Sequence, residues 1–471
     1  SLFLVILLIT LVPTACQAIA PLSNATLEPD TEAAPESDIV TLTFACPRSY
    51  RAAMEELASE FHTLNPGISV RVVAIDDLPD SDAFSSNALL PPSAYSIAFY
   101  VDTAMWTVIP QGVGAGLYQD LSPFIEVDEA FMPGDFFPHT LEACSQHGKT
   151  YGLPTQIVLT VMFYNKRAFD EASIPYPPAD WTLDDFLTLA QHLTVWEGNS
   201  VSQYGFVDAA LVGQDLFIWS RVGDVVDDTG KPQLESPELS EAIQWYTDLT
   251  LKHGVMPYLY DISRSQEQTN IVRTGGAAMW TDTLANYAYY PKDLDIGIAP
   301  LPIAVPGSDK HYPGRKFDYF ISAGTLHPQE SWRWLRFLTY HIPAGHCQDC
   351  LPVRRSVAED TQFWSRFGPE QLSTVKQVAE HLDFSYSTGM ALYVYQAVAG
   401  VLEGESVATA LRQAQRAAEQ DEAPYTQAIP WAVTVKPLSG SESDGRSQVL
   451  FATTDGGPSL QELVADFNDG Q

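Results

Sequence analysis

The run from Ile39-Val-Thr-Leu-Thr-Phe44 through Met54-Glu-Glu-Leu-Ala-Ser-Glu-Phe-His-Thr-Leu-Asn-Pro-Gly-Ile-Ser-Val70 to Ala74 decides the fold. Its first piece is rich in β-branched residues and predicts a strand. After a turn around Pro47, the apolar residues Met54, Leu57, Ala58 and Phe61 recur at three- and four-residue spacing, which is the stripe of an amphipathic helix. Asn65-Pro-Gly67 breaks that helix, and Ile68-Ser-Val-Arg-Val-Val-Ala74 supplies a second strand. Strand, helix, strand is a parallel βαβ unit. The same alternation continues along the chain and predicts an α/β fold with a doubly wound sheet.

Before this run the chain reads as an export segment. Leu2-Phe-Leu-Val-Ile-Leu-Leu-Ile-Thr-Leu11 is about half the ~20 residues needed to span a bilayer, and it suits the core of a signal peptide. Residues 17–38 carry Pro21, Pro29 and Pro35, five acids and no aromatic residue, a composition that predicts a disordered tether. The 471 residues include 59 acids against 25 basic residues, a net charge of -34. A field of that sign repels nucleic acid and anionic membrane surfaces, so no nucleic-acid partner is expected. Neither Gly-x-Ser-x-Gly, His-Glu-x-x-His, a Walker-type loop nor a dinucleotide fingerprint occurs, so a binding module is expected rather than an enzyme.

Several segments then carry a resemblance. Met54–Val70, Gly116-Leu-Tyr-Gln-Asp-Leu-Ser-Pro-Phe-Ile125 and Gly148-Lys-Thr-Tyr-Gly-Leu-Pro154 with Leu159-Thr-Val-Met-Phe-Tyr-Asn-Lys166 are three of them. Pro177–Phe186, Gly275-Gly-Ala-Ala-Met-Trp280, Ile296-Gly-Ile-Ala-Pro-Leu-Pro302 and Leu351-Pro-Val-Arg-Arg-Ser356 follow in order. Together they resemble family 1 extracellular solute-binding proteins, the sugar-type receptors of ABC importers. The resemblance implies a two-lobed periplasmic-binding-protein-like fold, with a hinge between discontinuous α/β lobes. One lobe is expected at about 39–152 and 279–323, and the other at about 153–278 and 324–431. Gly152-Leu-Pro154 and Ser322-Ala-Gly324 are the expected crossings.

The implied function is extracytoplasmic capture of a sugar or oligosaccharide by lobe closure. The implied partners are a small-molecule solute and ABC permease subunits, with the chain a monomer and no cofactor or metal. The rival ligands are a polyamine, a peptide or an iron complex, and the rival role is sensing. A sugar cleft needs aromatic faces and hydroxyl-bonding side chains. Tyr50 follows the first strand, at the edge where open sheets place ligands. Asp102 holds a similar strand end, with Trp106 close by. Gln156 follows the first crossing, Trp219 belongs to the second lobe, and Trp280 with Asp282 lies where the family re-enters the cleft. Trp181, Trp245, Trp332 and Trp334 fall on helical patterns and are expected to pack.

Five cysteines remain to place. Val12-Pro-Thr-Ala-Cys16 resembles a lipobox, which implies lipid anchoring through Cys16, although Pro13 stands where such boxes carry an aliphatic residue. The other four permit two disulfides in three connectivities. Cys347–Cys350 and Cys46–Cys144 are favoured over a metal site built from Cys347, Cys350, His341 and His346. Past a linker at 432–446, Ser447-Gln-Val-Leu-Phe451 and Leu460-Gln-Glu-Leu-Val-Ala-Asp-Phe-Asn468 repeat the opening strand and helix. The repeat predicts that a second solute-binding domain starts at about 447–471.

Overall fold

The computed structural model describes residues 39–78, 97–98, 100–105, 110–114, 116–209, 215–223, 225–227, 231–258, 265–303, 312–342, 350–384 and 390–422. The export segment with Cys16, the tether, Trp106, Cys347, the linker and the repeat at 447–471 lie outside the described residues.

The opening unit forms as its pattern dictates. Strand β1 (Val40–Cys46) pairs in parallel with β2 (Ile68–Ala74) along its whole length, Val40 opposite Ile68 and Cys46 opposite Ala74. Between them, helix Arg51–Leu64 buries Met54, Leu57, Ala58 and Phe61, the four residues of the apolar stripe. Its last turn is closed by Asn65, whose N–H donates to the Phe61 carbonyl at 2.8 Å. Strand β3 (Thr103–Met105) joins β1 on the other side, also in parallel.

A two-strand hairpin, β4 (Ser145–Gln146) and β5 (Lys149–Thr150), precedes the crossing. Its turn residues His147 and Gly148 have φ of 50° and 76°. Left-handed backbone at both central positions matches the right-handed twist of the paired strands, and Gly148 adopts it without a Cβ clash.

The chain then commits to β6 (Leu153–Asn165), 13 residues long and the longest of the described strands. The remaining strands are β7 (Val195–Glu197), β8 (Ser200–Asp208), β9 (Ala277–Thr283), β10 (Ile296–Ala299), β11 (Tyr312–Ile321), β12 (Leu351–Pro352) and β13 (Leu382–Asp383). The main sheet runs β2-β1-β3-β11-β6-β9-β8-β7, with β10 and β12 also on β6 and β13 on β11. β6 takes β11 and β12 as antiparallel partners over its first half and β9 and β10 over its second. At β8 the sheet meets helix Leu183–Leu193 closely. A Cβ on Gly205 would lie 1.8 Å from the Ala190 carbonyl oxygen, so only glycine allows that approach.

β9 pairs with β8 and with the second half of β6, and β10 pairs with that same half, whereas the expected boundaries put 279–323 with 39–152. Helix Pro328–Tyr340 was expected in the second lobe, yet it packs on β1 and on helix Arg51–Leu64. Trp334, fully buried, carries that contact, with ring centroids 5.5 Å from Phe44 and 5.2 Å from Phe61. Trp332 is buried and Trp245 packs against the core, both on helices as their patterns implied; Trp181 is buried too, but it stands just before helix Leu183–Leu193 rather than on it.

The cysteines correct one expectation. Cys46 and Cys144 are both free and buried, so the Cys46–Cys144 bridge is not formed. Each thiol has a different partner set: Cys144 Sγ donates to Asp318 Oδ1 at 3.3 Å, while Cys46 ends β1. Cys350 is disulfide-bonded.

Candidate ligand-binding site

Register shows where the strand ends converge. β1 and β3 run toward Cys46 and Met105, and Met105 lies opposite Tyr319, which in turn pairs with Leu153 of β6. β8 and β9 run the opposite way, toward Asp208 and Thr283, and Thr283 pairs with Thr160 of β6. The carboxyl ends of the two strand sets therefore face each other across residues 153–160 of β6, about 23 Å of strand at ~3.3 Å per residue. Ligands of open α/β sheets bind in such crevices, outside the carboxyl ends of the strands.

Gln156 lies inside that interval. It is 2% exposed, and neither Oε1 nor Nε2 has a hydrogen-bond partner in the protein. Buried carboxamides are almost always bonded, so an orphaned one marks a place where another molecule supplies the partner. Its cross-strand neighbours are Phe317 on β11 and Pro352 on β12. Tyr50 closes the same corner from the end of β1, its ring centroid 6.2 Å from Phe317. Burial pushes the Tyr50 hydroxyl up to about 12, so it stays a neutral hydrogen-bonding group.

The backbone is distorted here. β6 and β11 shift register between Phe317 and Asp318, so that Phe317 faces Gln156 while Asp318 faces Pro154. Pro154 has no N–H to give the ladder, and a bulge at that point accommodates it. Trp219 ends a single π-helical turn, Asp215–Trp219, which packs against β11. Such turns are frequent at functional positions.

Other expected residues have structural work in this conformation. Asp102 accepts from Thr43 N at 2.8 Å and from Thr325 Oγ1 at 2.6 Å, tying β1 to the turn at 322–325. Trp280 is fully buried between Phe163, 5.8 Å away and nearly parallel, and Tyr290 at 5.5 Å. Asp282 is buried too and accepts from Thr283 N, Asn286 Nδ2 and the Tyr290 hydroxyl. Burial raises its pKa against the opposing pull of those three donors. The structure thus joins Tyr50 and Gln156 through Phe317, and places Trp280 and Asp282 in the packing of β9.

The sequence does not single out Asp208 or the Lys316–Asp318 pair, and for Arg354 it points to a surface salt bridge. Asp208, at the end of β8, accepts from Tyr246 Oη at 2.6 Å and Thr281 Oγ1 at 2.8 Å. Beside the bulge, Lys316 Nζ bonds both oxygens of Asp318 at 2.7 and 2.8 Å, with Asp318 fully buried. Burial alone would lower the Lys316 pKa, but the Asp318 charge outweighs it and the net direction is up. Arg354 is fully buried, its guanidinium 3.9 Å from the Tyr340 ring centroid and 4.1 Å from that of Phe136. It also donates to Thr339 Oγ1 and to the Phe131 carbonyl. Alternation in β11 could have hinted at Lys316 and Asp318, since charged residues at two-residue spacing share a face.

Residues 48–340 match the family described as bacterial extracellular solute-binding protein, more than half of the chain. The chain belongs to that family. A binding protein of Brucella abortus is 25% identical over 322 residues, which are 65% of this chain and 73% of that protein. The arabinooligosaccharide-binding protein of Bacillus subtilis is 28% identical over 198 residues, 41% of this chain and 44% of that protein. Among solved structures, the Listeria monocytogenes ABC substrate-binding protein in complex with cycloalternan superposes with a TM-score of 0.62 at 20% identity. That match covers 82% of this chain and 100% of the other. The sugar-binding protein MalE of Xanthomonas citri gives 0.63 at 16% identity, covering 82% and 98%. These likenesses establish the two-lobed periplasmic-binding-protein-like fold. No helix among the described residues is long and apolar enough to cross a membrane.

Proposed function

We propose that this protein is the extracytoplasmic receptor of an ABC importer and captures an oligosaccharide between two closing lobes. The observation that carries the reading is the unpartnered, buried carboxamide of Gln156, set between Phe317 and Pro352 at the facing strand ends. A carboxamide offers both a donor and an acceptor, which is what vicinal sugar hydroxyls require. Tyr50 adds an aromatic ring with a neutral hydroxyl beside it. The sugar class draws further support from the relatives, one of which binds arabinooligosaccharide, and from neighbours solved with cycloalternan and mannotriose.

Strand pairing supports one lobe of about 39–152 with 312–342, and another of about 160–303 with 363–422. β6 and β11 run between them and carry the hinge. Anchoring through a lipid on Cys16, a monomeric state and delivery to permease subunits complete the reading.

The test is a thermal-shift and calorimetric screen of the whole chain. The panel is arabino-, manno- and malto-oligosaccharides, with polyamines, peptides and iron complexes as competitors for the assignment. A ligand at 100 times its dissociation constant stabilises the folded state by about 2.7 kcal/mol. Stabilisation by one sugar series is expected. Stabilisation by a non-sugar alone would overturn the substrate class.

A further inference from the structure

A second recess adjoins the strand that pairs with Gln156: the Phe137 N–H donates to the Val353 carbonyl at 2.9 Å, and Val353 follows Pro352, the cross-strand neighbour of Gln156. Its cavity of about 180 Å³ is lined by Phe137, Arg355, Glu359, Trp364, Lys376 and Glu380. Phe137 comes from the segment before the crossing, while Lys376 and Glu380 stand on helix Pro369–Glu380, which packs against β10 and β6. The aromatic walls are preset: the Phe137 and Trp364 centroids are 6.2 Å apart, with the rings edge to face. Arg355 lies 4.7 Å from the Phe137 centroid and grips both oxygens of Glu380, one of them at 2.7 Å. Lys376 Nζ stands 5.1 Å from the Trp364 centroid. Among the described residues, the Lys376 ammonium and the Glu359 carboxylate form no ion pair.

The charges in the recess balance, two cations against two carboxylates, on a chain whose net charge is -34. An anion would meet Glu359 and Glu380, and a cation would meet Arg355 and Lys376. A neutral ligand with C–H faces and many hydroxyls meets no such penalty. It can lie against the half-buried Trp364, Phe137 being only 3% exposed behind Arg355, while Glu359 accepts, Lys376 donates, and the fixed Arg355–Glu380 pair offers both. The geometry points to an accessory subsite for one pyranose or furanose ring, reached from the junction of the segment around Phe137 with helix Pro369–Glu380. This inference rests on the carbohydrate reading above and extends it to a second place of contact.

The experiment titrates the full-length Gln156→Ala chain with D-glucose, D-mannose and L-arabinose by calorimetry and ligand-observed NMR, beside the unsubstituted chain. With the first site disabled, a residual event with a dissociation constant on the order of millimolar is expected, as suits a single ring in an open recess. Adding Trp364→Ala should abolish it. Adding Lys376→Ala, an exposed change that leaves packing intact, should weaken it about tenfold. If the unsubstituted chain binds sugar but Gln156→Ala retains no event, the recess is not a subsite and the receptor reading stands. An event indifferent to both Trp364→Ala and Lys376→Ala overturns the placement. A preference for free amino acids over sugars overturns the ligand class. Failure of the unsubstituted chain to bind any sugar sinks both readings at once.

Discussion

Replacing Gln156 by methionine separates binding from folding more sharply than any other single change. The side chain is 2% exposed and neither polar atom is bonded within the protein. Each orphaned buried group costs about 1–3 kcal/mol of desolvation, and methionine has nearly the same shape without the two polar atoms. Gln156→Met should therefore stabilise the free protein by about 1–3 kcal/mol. In a body of this size the unfolding entropy makes each kcal/mol worth roughly 1 °C, so Tm should rise by about 1–3 °C. The same change removes the donor and acceptor offered to the ligand, and affinity should fall about 10- to 100-fold. Differential scanning calorimetry on free protein and titration with the identified sugar read the two effects independently. A lower Tm with unchanged affinity would refute the reasoning, because it would show the carboxamide engaged in the protein and idle toward ligand.

Other consequences follow from the packing. Lys316→Met removes the cation that neutralises the buried Asp318 carboxylate, and should cost about 3–5 kcal/mol in urea unfolding; the double change Lys316→Met, Asp318→Leu should recover most of that loss. Because its pKa is raised on folding, the Lys316 contribution is full below about pH 10.4 and declines only as pH rises beyond that value. Gly205→Ala forces a methyl into the Ala190 carbonyl and should cost at least ~3 kcal/mol, visible as a lowered urea midpoint. Burial pushes the Asp128 carboxyl up, but donors from Trp332 and Arg336 outweigh it and hold the group below the usual carboxylate range. Its stabilisation is present above about pH 3.9 and lost as pH falls through the folded value. Asp128→Asn should therefore flatten the acid limb of a Tm-against-pH curve, and an unchanged slope would remove Asp128 from the account.

The elements legible in the sequence are those whose residues carry a local period. The stripe Met54, Leu57, Ala58 and Phe61 marked its helix because one helical face is buried along its whole length. Tyr50 and Gln156 are singled out by a strand end and a crossing, and both neighbour Phe317. Trp280 and Asp282 sit in the predicted segment but face inward, because β9 is a central strand with neighbours on both sides and both faces covered. Lobe membership at 279–342 depends on which half of β6 each later strand pairs with, and no local pattern encodes that choice. The disulfide guess for Cys46 and Cys144 followed parity in an exported chain, whereas the fold gives Cys144 a carboxylate to bond. Nothing in the sequence singles out Lys316 and Asp318 beyond their two-residue spacing.

On the proposed reading, the irregularities along β6 and β11 let ligand recognition and lobe movement use the same residues. β6 changes partners between its two halves, pairing with β11 up to Leu159 and with β9 from Thr160. A relative rotation of the two strand sets must be absorbed within this interval, where the ladder is already broken by Pro154 and by the shift between Phe317 and Asp318. The Lys316–Asp318 pair, buried beside the shift, holds β11 in one register while the backbone around it bends. Gln156 stands immediately past this break on β6. A ligand that bonds its carboxamide therefore satisfies two buried polar atoms and at the same time bridges the strand ends on either side. The free energy gained is available only when both strand sets reach the ligand together, which is the condition for closure to follow binding. A hinge placed in an unbroken ladder would have to strain regular hydrogen bonds to achieve the same rotation.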